Sequence, residues 1–413
     1  MKKKLVFSGG FIKGDVALPS SKSISNRLLI MRYLSGREVA IAGFSGADDT
    51  RLLINLLDDL KSGKTVFDAG NAGTVLRFMT ALLSVLPGDY RLLCNERMKQ
   101  RPVGGLTEAL RSLGAGIAYT EKEGYPPLAI KGGGLTGNRV SVDVSQSSQF
   151  VSALLLTAPY LPGGLRIALE GNIASKPYIS MTVSLMRQFG IAVEDDFGSF
   201  YVPAGGYRMT DTVVEADWSA AAFFYELAAL SEGADIFLHR LTDSGLQGDA
   251  VAAGLFDYLG VQTVFENDGV RITKVRPADK NIRVDFTDYP DLALPYIVAC
   301  AGEGVIGTFS GLDNLRLKES DRLKALSSQL AKFGYDFRET GYGEWVLINS
   351  CRVGENQVPL RQDIEIETFD DHRIAMAFAP LVLKTKTLTI NNPDVVTKSF
   401  PSFWSEIDKV IKR

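Results

Sequence analysis

The residues of this 413-residue chain that could do chemistry gather where helices are predicted to begin. Near the amino terminus, the stretch LPSSKSISNR places four serines and two cations directly before the apolar run 28–31. Ser20 or Ser21 can cap a helix here, which puts Lys22 in the first turn and Ser23 and Arg27 on one face. First-turn amides lack internal partners and carry the positive end of the helix dipole, so the segment predicts an anion-binding site. A plain capped helix with solvated charges would also explain this segment taken alone.

The same arrangement recurs further along the chain. In GNAGTVLRF, a turn from Asn71 to Gly73 precedes Arg77, and its glycines allow backbone amides to approach a ligand closely. In NLRLKESDRL, Lys318 and Arg322 are four residues apart at the start of another amphipathic helix. The recurrence favours anion binding over ordinary capping.

Eight cations lie at or near predicted helix starts, in the three segments above and in three others, although the net charge of the chain is −3. They are Lys22, Arg27, Arg77, Arg101, Lys318, Arg322, Arg373 and Lys398. A phosphate monoester carries about −1.5 to −2 charges at neutral pH, so this set predicts binding of two phosphorylated carboxylates. Two carboxylates, Asp291 and Glu319, lie in the same context and could transfer protons if burial and neighbouring charges tune them.

A repeated helix ending predicts the elements that position these residues. Four amphipathic segments end at a glycine followed by an extended apolar stretch; Gly114, Gly190, Gly260 and Gly334 follow one another at intervals of 76, 70 and 74 residues. The period also reaches the carboxyl-terminal helix and, backwards, Gly63, which lies only 51 residues before Gly114. It predicts six copies of one α/β unit, the first shortened, in two domains of three. The alternative is that unrelated helices share a common Leu-Gly ending.

Composition narrows the class of protein. With 46% hydrophobic and 23% charged residues, the chain is typical of a globular protein of two or three domains. The net charge of −3 argues against nucleic-acid binding, and no apolar run reaches the roughly 18 residues that a membrane span needs. Three cysteines favour reduced thiols in a cytoplasmic protein, and two histidines argue against a histidine-rich metal site.

Nine segments, in order from residue 18 to residue 404, together resemble the family of 5-enolpyruvylshikimate-3-phosphate synthases, which are enolpyruvyl transferases. They are LPSSKSISNR, GNAGTVLRF, MKQRPVGGL, SSQFVSALLL, SKPYISMT, TDYPDLALP, NLRLKESDRL, DDHRIAMAF and TKSFPSFW. The resemblance implies an α/β fold of two domains, each with three βαβαββ repeat units in an inside-out barrel. One domain would span residues 15–215 and the other residues 1–14 and 216–413, with the active site in the cleft between them.

The resemblance also implies an activity. The family transfers the enolpyruvyl group of phosphoenolpyruvate to the 5-hydroxyl of shikimate 3-phosphate and releases phosphate through a tetrahedral ketal. This is a step of the shikimate pathway, which leads to chorismate and the aromatic amino acids. The resemblance implies no cofactor and no metal, and it implies that glyphosate competes with phosphoenolpyruvate. We expect a cytoplasmic monomer without a nucleic-acid or membrane partner.

The resemblance also implies roles for individual residues of this chain, at the positions that match the family's motifs. The matches to shikimate 3-phosphate contacts are Lys22, Ser23, Arg27, Ser147, Ser148, Gln149, Ser175, Tyr178, Asp291, Asn314 and Lys318. The matches to phosphoenolpyruvate contacts are Lys22, Asn71, Gly73, Arg101, Gln149, Arg322, Arg373 and Lys398.

Four residues match positions that act in the reaction. Asp291 resembles the base that takes the proton of the 5-hydroxyl, and Glu319 resembles the acid that protonates the methylene of phosphoenolpyruvate. Lys22 is expected to touch both substrates. His372 is either an auxiliary group or a structural histidine. Glu319 must be protonated when it acts, although the neighbouring cations favour its carboxylate form.

Two other functions are alternatives to this activity. The sister enzyme that uses UDP-N-acetylglucosamine usually carries a reactive cysteine five residues before the arginine that matches Arg101. Here that position is Glu96, and Cys94 lies two residues away from it. A non-catalytic anion-binding relative should have lost Asp291 or Glu319, and this chain keeps both.

Overall fold

The computed structural model describes residues 1–145, 147–196, 198–341, 343–349 and 364–412. The chain divides into two compact units, Met1–Ser20 with Glu215–Arg413 and Ser21–Val214. Helices and strands alternate through both, so the predicted α/β class is confirmed. Residues 14 and 15, between which the sequence analysis expects a domain boundary, both lie in the strand Ile12–Ala17.

The helices and strands are as follows, in chain order. The first segment contains β1 Lys2–Val6 and β2 Ile12–Ala17. The Ser21–Val214 unit contains α1 Lys22–Ser35, β3 Ile41–Ala42, α2 Asp48–Lys61, β4 Val66–Asp68, α3 Gly73–Val85, β5 Gly88–Leu93, α4 Gly104–Ser112, β6 Gly116–Tyr119, β7 Leu128–Gly132, β8 Arg139–Asp143, α5 Ser148–Thr157, β9 Leu165–Glu170, α6 Lys176–Gln188, β10 Glu194–Asp196, β11 Ser199–Val202 and β12 Thr212–Val213. The last segment contains α7 Trp218–Leu230, β13 Ala234–His239, α8 Ala252–Leu255, β14 Val261–Glu266, β15 Gly269–Lys274, β16 Asn281–Asp285, α9 Ala293–Gly302, β17 Ile306–Ser310, α10 Arg322–Leu330, β18 Tyr335–Gly341, β19 Glu344–Asn349, β20 Ile364–Ile366, α11 His372–Phe378, α12 Val382–Thr385, β21 Thr387–Asn391 and α13 Phe403–Ile411.

The Ser21–Val214 unit contains two four-stranded sheets of the same design. Their strand orders are β4-β5-β7-β6 and β8-β9-β11-β10. In each, the first two strands are parallel and the last two are antiparallel to their neighbours. Because a helix connects each parallel pair, the chain order is βαβαββ. A third sheet consists of β3 and β12, which are parallel and two residues long.

The described part of the other unit contains three sheets, of orders β2-β13-β15-β14, β16-β17-β19-β18 and β1-β21-β20. β2 and β13 are parallel neighbours, although the whole Ser21–Val214 unit lies between them in the sequence. In the third sheet, β1 pairs with β21 in antiparallel orientation. Strands that are far apart in the sequence therefore belong to the same sheet.

The glycines of the repeated ending lie at helix ends. The φ angles of Gly114, Gly190, Gly260 and Gly334 are 110°, 87°, 81° and 81°, in the left-handed range that favours glycine. At Gly260, an added Cβ would lie only 1.9 Å from the carbonyl oxygen of Arg276. The glycines that repeat in the sequence therefore lie where the backbone conformation favours glycine.

The helix α7 lies within the apolar core of its unit and carries one carboxylate. Glu226 is fully buried, and neither of its carboxylate oxygens has a hydrogen-bond partner among the described residues. Burial raises the pKa of Glu226 well above its ordinary value, because no neighbouring charge or hydrogen bond in the described part of the chain compensates for the loss of water.

Cysteines, membrane-spanning helices and metal-binding groups were also considered in the predictions from the sequence. Cys94 and Cys300 are free thiols, and Cys351 lies outside the described residues. Among residues that the structure describes, no helix has both the length and the apolar character to cross a membrane. No group of three or more His, Cys, Asp and Glu side chains there could hold a metal ion.

Candidate active site

The start of α1 holds Lys22 against a buried carboxylate. Of the two predicted caps, Ser21 is the one used, and its hydroxyl accepts a hydrogen bond from the amide of Ile24. The Nζ of Lys22 lies 2.9 Å from an Oδ of Asp49, whose side chain is only 6% exposed. Asp49 was not predicted from the sequence. Its buried charge orients the ammonium group of Lys22.

Arg27 is buried and held by neutral oxygens on three helices. Its Nε donates to Oγ1 of Thr182 over 2.7 Å, and one terminal nitrogen donates to Oγ of Ser152 over 3.1 Å. Its terminal nitrogens also donate to the carbonyl oxygens of Ser23 and Tyr178. Burial lowers the pKa of Arg27 to about 10, which still leaves it charged at neutral pH. The guanidinium group therefore ties α1 to α5 and α6.

The start of α3 brings two arginines against a glycine. Arg77 donates to the carbonyl oxygen of Gly73 over 3.0 Å and to Oε1 of Gln149 over 3.2 Å. A Cβ added at Gly73 would lie 2.6 Å from a nitrogen of Arg77 and 2.9 Å from a nitrogen of Arg101. Asn71 is exposed in the preceding turn. The structure thus brings together three residues predicted for one ligand, namely Gly73, Arg101 and Gln149.

The starts of α5 and α6 supply further predicted residues. Ser147 caps α5 and accepts a hydrogen bond from the amide of Gln149, whose side-chain amide donates to Thr74 over 3.1 Å. Ser148 and Ser175 are both buried. Ser175 has φ 60° and ψ 37°, a left-handed conformation directly before the first residue of α6.

In the other unit, Arg322 is the centre of a carboxylate network. It begins α10, and its side chain is 1% exposed. Its nitrogens lie 2.8 Å from Asp371, 2.9 Å from Glu319 and 3.4 Å from Asp291. Arg373 contacts the same Asp291, with one nitrogen 3.0 Å from Oδ2 and another donating to the carbonyl oxygen over 3.1 Å. Four predicted site residues therefore meet in one network, together with Asp371.

The charges in this network fix its protonation. Burial alone would raise the pKa of Asp291, but Arg373, Lys318 and Arg322 hold it below its ordinary value. Burial would likewise lower the pKa of Arg322, but Asp371 and Glu319 raise it above its ordinary value. Asp291 is consequently an anion at neutral pH, as a proton acceptor must be.

The remaining predicted residues of this unit lie on neighbouring elements. His372 begins α11 and is buried, with Nδ1 3.6 Å from an Oδ of Asp371. Lys398 is buried at the end of the short turn Pro393–Lys398, which packs against α11. Asn314 lies in the turn Asp313–Leu317, directly before Lys318.

Sequence reasoning missed four residues that hold the predicted ones, namely Asp49, Ser152, Thr182 and Asp371. Three of them carried a signal in the sequence. Ser152 is four residues after Ser148, and Thr182 is four residues after Tyr178, so each polar side chain follows a predicted contact by one helical turn. Asp371 is recognisable in the sequence as a capping aspartate directly before a helical segment. In the structure its side chain accepts a hydrogen bond from the amide of Arg373.

Comparison with known proteins identifies the family. Residues 59–407 match the sequence profile of the family described as EPSP synthase (3-phosphoshikimate 1-carboxyvinyltransferase). The chain belongs to the EPSP synthase family. The 3-phosphoshikimate 1-carboxyvinyltransferase of Bacteroides fragilis strain YCH46 is 41% identical to it over 401 residues, covering 96% of this chain and 95% of the relative. The enzyme of the same name from Vibrio campbellii is 35% identical over 423 residues, covering 96% of each chain.

A solved structure of EPSP synthase from Acinetobacter baumannii agrees in fold. Its TM-score is 0.77 at 24% identity, and the match covers 100% of this chain and 99% of that one. The family predicted from the nine segments is confirmed, and with it the prediction that this chain is an enzyme, a transferase.

Proposed function

We propose that this chain transfers the enolpyruvyl group of phosphoenolpyruvate to the 5-hydroxyl of shikimate 3-phosphate and releases phosphate. Membership in the EPSP synthase family carries this proposal. The network around Arg322 supports it, because the residues proposed as proton acceptor and proton donor, Asp291 and Glu319, meet two arginines there. The reaction needs an acid and a base for proton transfer, and it needs cations to stabilise the charge on the phosphate.

The reaction would proceed in two balanced steps. Glu319 gives a proton to the methylene of phosphoenolpyruvate, which builds positive charge at the adjacent carbon. The 5-hydroxyl oxygen adds to that carbon while Asp291 takes the hydroxyl proton, and a tetrahedral ketal forms. The methyl group then returns a proton to Glu319 as the carbon–oxygen bond to phosphate breaks, which restores the double bond. The proton that Asp291 took from the hydroxyl leaves with the released phosphate. Arg322 and Arg373 stabilise the charge that develops on the departing phosphate.

The finer arrangement is part of the same proposal. Each unit would be a three-copy inside-out barrel, and helix starts of both units would face one interdomain cleft. Lys22, Gly73 and Arg101 would then approach the substrates from one side, and Arg322 and Lys398 from the other. The individual substrate contacts, the monomeric state and the cytoplasmic location remain predictions.

Phosphate release distinguishes the candidate activities directly. Purified protein is mixed with phosphoenolpyruvate and either shikimate 3-phosphate or UDP-N-acetylglucosamine, and free phosphate is measured. We expect release with shikimate 3-phosphate only. Release with UDP-N-acetylglucosamine would assign the sister activity, and no release with either acceptor would indicate a non-catalytic relative.

Replacing Lys22 by methionine should reduce turnover severely. The change removes a cation expected to contact both substrates and leaves Asp49 without the ammonium group 2.9 Å away. Loss of such a group commonly lowers kcat by about 10²- to 10³-fold, and contact with two substrates should place this variant at the upper end. Steady-state phosphate release measures the effect.

Lys64→Met is the matched control for this prediction. Lys64 pairs with Asp59 at 2.7 Å in the same unit, but both side chains are well exposed. Its removal should leave activity unchanged. A Lys22→Met variant with near-normal turnover would refute the assignment of Lys22 to the substrates.

Replacing Gly73 by alanine should weaken both phosphoenolpyruvate and glyphosate. The new Cβ would lie within 3.0 Å of Arg77 and Arg101, so at least one guanidinium group must move. Overpacking of this kind costs about 1–3 kcal/mol, which corresponds to roughly a five- to 150-fold weaker binding of each ligand. The KM for phosphoenolpyruvate and the inhibition constant for glyphosate measure it.

Gly205→Ala is the control, because a Cβ there meets only Ile191, at 4.0 Å. It should leave both constants unchanged. If Gly73→Ala also leaves glyphosate inhibition unchanged, Gly73 does not border that ligand.

A further inference from the structure

Two buried hydroxyl groups, those of Ser152 in α5 and Thr182 in α6, contact Arg27 and have no part in the mechanism above. Both residues are fully buried. The Nε of Arg27 donates to Oγ1 of Thr182 over 2.7 Å, and one terminal nitrogen donates to Oγ of Ser152 over 3.1 Å. The two hydroxyl oxygens lie 3.0 Å apart. The guanidinium group and the two hydroxyl groups therefore form one connected network inside the Ser21–Val214 unit.

The nitrogens of Arg27 depend on these hydroxyl groups to different degrees. Among the described residues, Nε has a single acceptor, which is Thr182. The terminal nitrogen that contacts Ser152 also donates to the carbonyl oxygen of Tyr178 over 3.0 Å, and the other donates to the carbonyl oxygen of Ser23 over 2.9 Å. A guanidinium group has five N–H donors, so at least one N–H of Arg27 has no acceptor in the described part of the chain and can bind a ligand.

The partners of Arg27 do not neutralise its charge. Its acceptors are hydroxyl and carbonyl oxygens, whereas the nitrogens of Arg322, in the other unit, contact three carboxylates. Burial lowers the pKa of Arg27 only to about 10, so the guanidinium group is charged at neutral pH. Neutral oxygens thus orient this group and leave its positive charge for an anionic ligand, with which it can form charge-assisted hydrogen bonds.

We propose that Thr182 and Ser152 are positioning residues, which fix the guanidinium group of Arg27 for the anionic groups of shikimate 3-phosphate without neutralising it. Two other acceptors in the network, Ser23 and Tyr178, are themselves predicted contacts of shikimate 3-phosphate. The hydroxyl groups therefore connect three predicted contacts of one substrate. The inference rests on the proposed function, since it assigns shikimate 3-phosphate to Arg27.

Replacing Thr182 by valine tests the inference with little change of side-chain shape. The variant leaves the Nε of Arg27 without an acceptor. With phosphoenolpyruvate saturating, the KM for shikimate 3-phosphate should rise about tenfold, a typical effect of an unpaired buried donor on an equilibrium constant. Arg27 is not a predicted contact of phosphoenolpyruvate, so the KM for that substrate and kcat should stay close to the wild-type values. Calorimetric titration with shikimate 3-phosphate should give the same factor in the dissociation constant.

Two further variants separate the positioning role from packing. Thr182→Ser keeps the hydroxyl group and removes only a methyl group, so its KM for shikimate 3-phosphate should be close to that of the wild type. In Ser152→Ala the affected nitrogen keeps the carbonyl oxygen of Tyr178, so this KM should rise only about two- to fivefold. Ser152→Ala also tests the inference if Thr182→Val does not fold. A Thr182→Ser variant with the same raised KM as Thr182→Val would overturn the role of the hydroxyl group.

Thr157→Val is the matched control. Thr157 is a buried threonine of α5, and its hydroxyl donates to the carbonyl oxygens of Ala153 and Leu154 in the same helix, over 3.1 Å and 3.2 Å. Its replacement should leave both KM values unchanged. If the hydroxyl of Thr182 were merely structural, Thr182→Val would resemble this control, with at most a lower midpoint of thermal unfolding and a wild-type KM for shikimate 3-phosphate.

The outcomes separate the two proposals. If the wild-type protein releases phosphate with shikimate 3-phosphate and both Thr182→Val and Ser152→Ala keep its KM, the positioning role is wrong while the proposed reaction stands. If the wild-type protein neither binds shikimate 3-phosphate nor releases phosphate, the proposed reaction itself fails, and the inference fails with it.

Discussion

Replacing Arg322 by methionine is expected to lower the free energy of unfolding by about 3–5 kcal/mol and to eliminate measurable turnover. The side chain is 1% exposed, and its loss leaves Asp371, Glu319 and Asp291 without the cation between them. Removing one partner of a buried ion pair is far more damaging than its net contribution suggests, because the remaining buried charge loses its counter-ion without regaining water. Asp371 should be affected most, since Asp291 keeps Arg373 at 3.0 Å. Urea denaturation followed by circular dichroism measures the stability, and phosphate release measures the activity.

Arg316→Met is the matched control for this prediction. Arg316 pairs with Glu339 at 2.8 Å, six residues before Arg322, but both partners are more than 40% exposed. An exposed pair contributes about 0–1 kcal/mol, so this variant should unfold close to the wild type. Arg322→Lys keeps the charge without the planar fork and should fall between the two. Equal stabilities of Arg316→Met and Arg322→Met would show that the network does not depend on Arg322.

Local features of the fold were predictable because local chemistry determines them. The intervals between Gly114, Gly190, Gly260 and Gly334 locate helix ends, since each glycine has the positive φ that ends a helix. The pairing of β2 with β13 could not be derived in this way. A strand's partner depends on contacts between distant segments, and 194 residues of the other unit lie between these two.

The candidate site likewise contains residues that the local sequence predicts and contacts that depend on the folded chain. Capping chemistry predicts Lys22, Arg322 and Arg373 at helix starts, since a cap and its helix are adjacent in sequence. Asp49, the carboxylate that holds Lys22, belongs to another helix, and nothing near Lys22 in the sequence points to it. Asp371 is recognisable as a helix cap two residues before Arg373, but its pairing with Arg322 joins two distant segments and forms only in the folded chain.

The burial of a side chain also could not be predicted from the sequence. Glu226 is an acidic residue within an otherwise apolar run. In the structure α7 is buried on all sides, and this burial raises the pKa of Glu226 well above its ordinary value. The shift depends on contacts between distant segments, because burial is a tertiary property.

Replacing Glu319 by glutamine should lower kcat by about 10²- to 10⁴-fold while shikimate 3-phosphate binds almost as in the wild type. The amide keeps the shape of the side chain and can still accept the hydrogen bond that Arg322 donates over 2.9 Å. It cannot deliver a proton to the methylene of phosphoenolpyruvate. Phosphate release gives kcat, and calorimetric titration with shikimate 3-phosphate gives the dissociation constant.

Proton transfer itself can be followed by exchange. When the reaction runs reversibly in heavy water, protonation and deprotonation of the methyl group introduce deuterium into the methylene of phosphoenolpyruvate. Glu319→Gln should slow this exchange as much as it slows kcat, whereas Glu339→Gln, an exposed acid of the same unit, should change neither. Because Arg322 pairs with Glu319 at 2.9 Å and a cation favours a carboxylate over a carboxylic acid, the anionic substrates must offset that pairing if Glu319 is the acid. If shikimate 3-phosphate binding fell by the same factor as kcat, Glu319 would be a binding group and another acid would have to supply the proton.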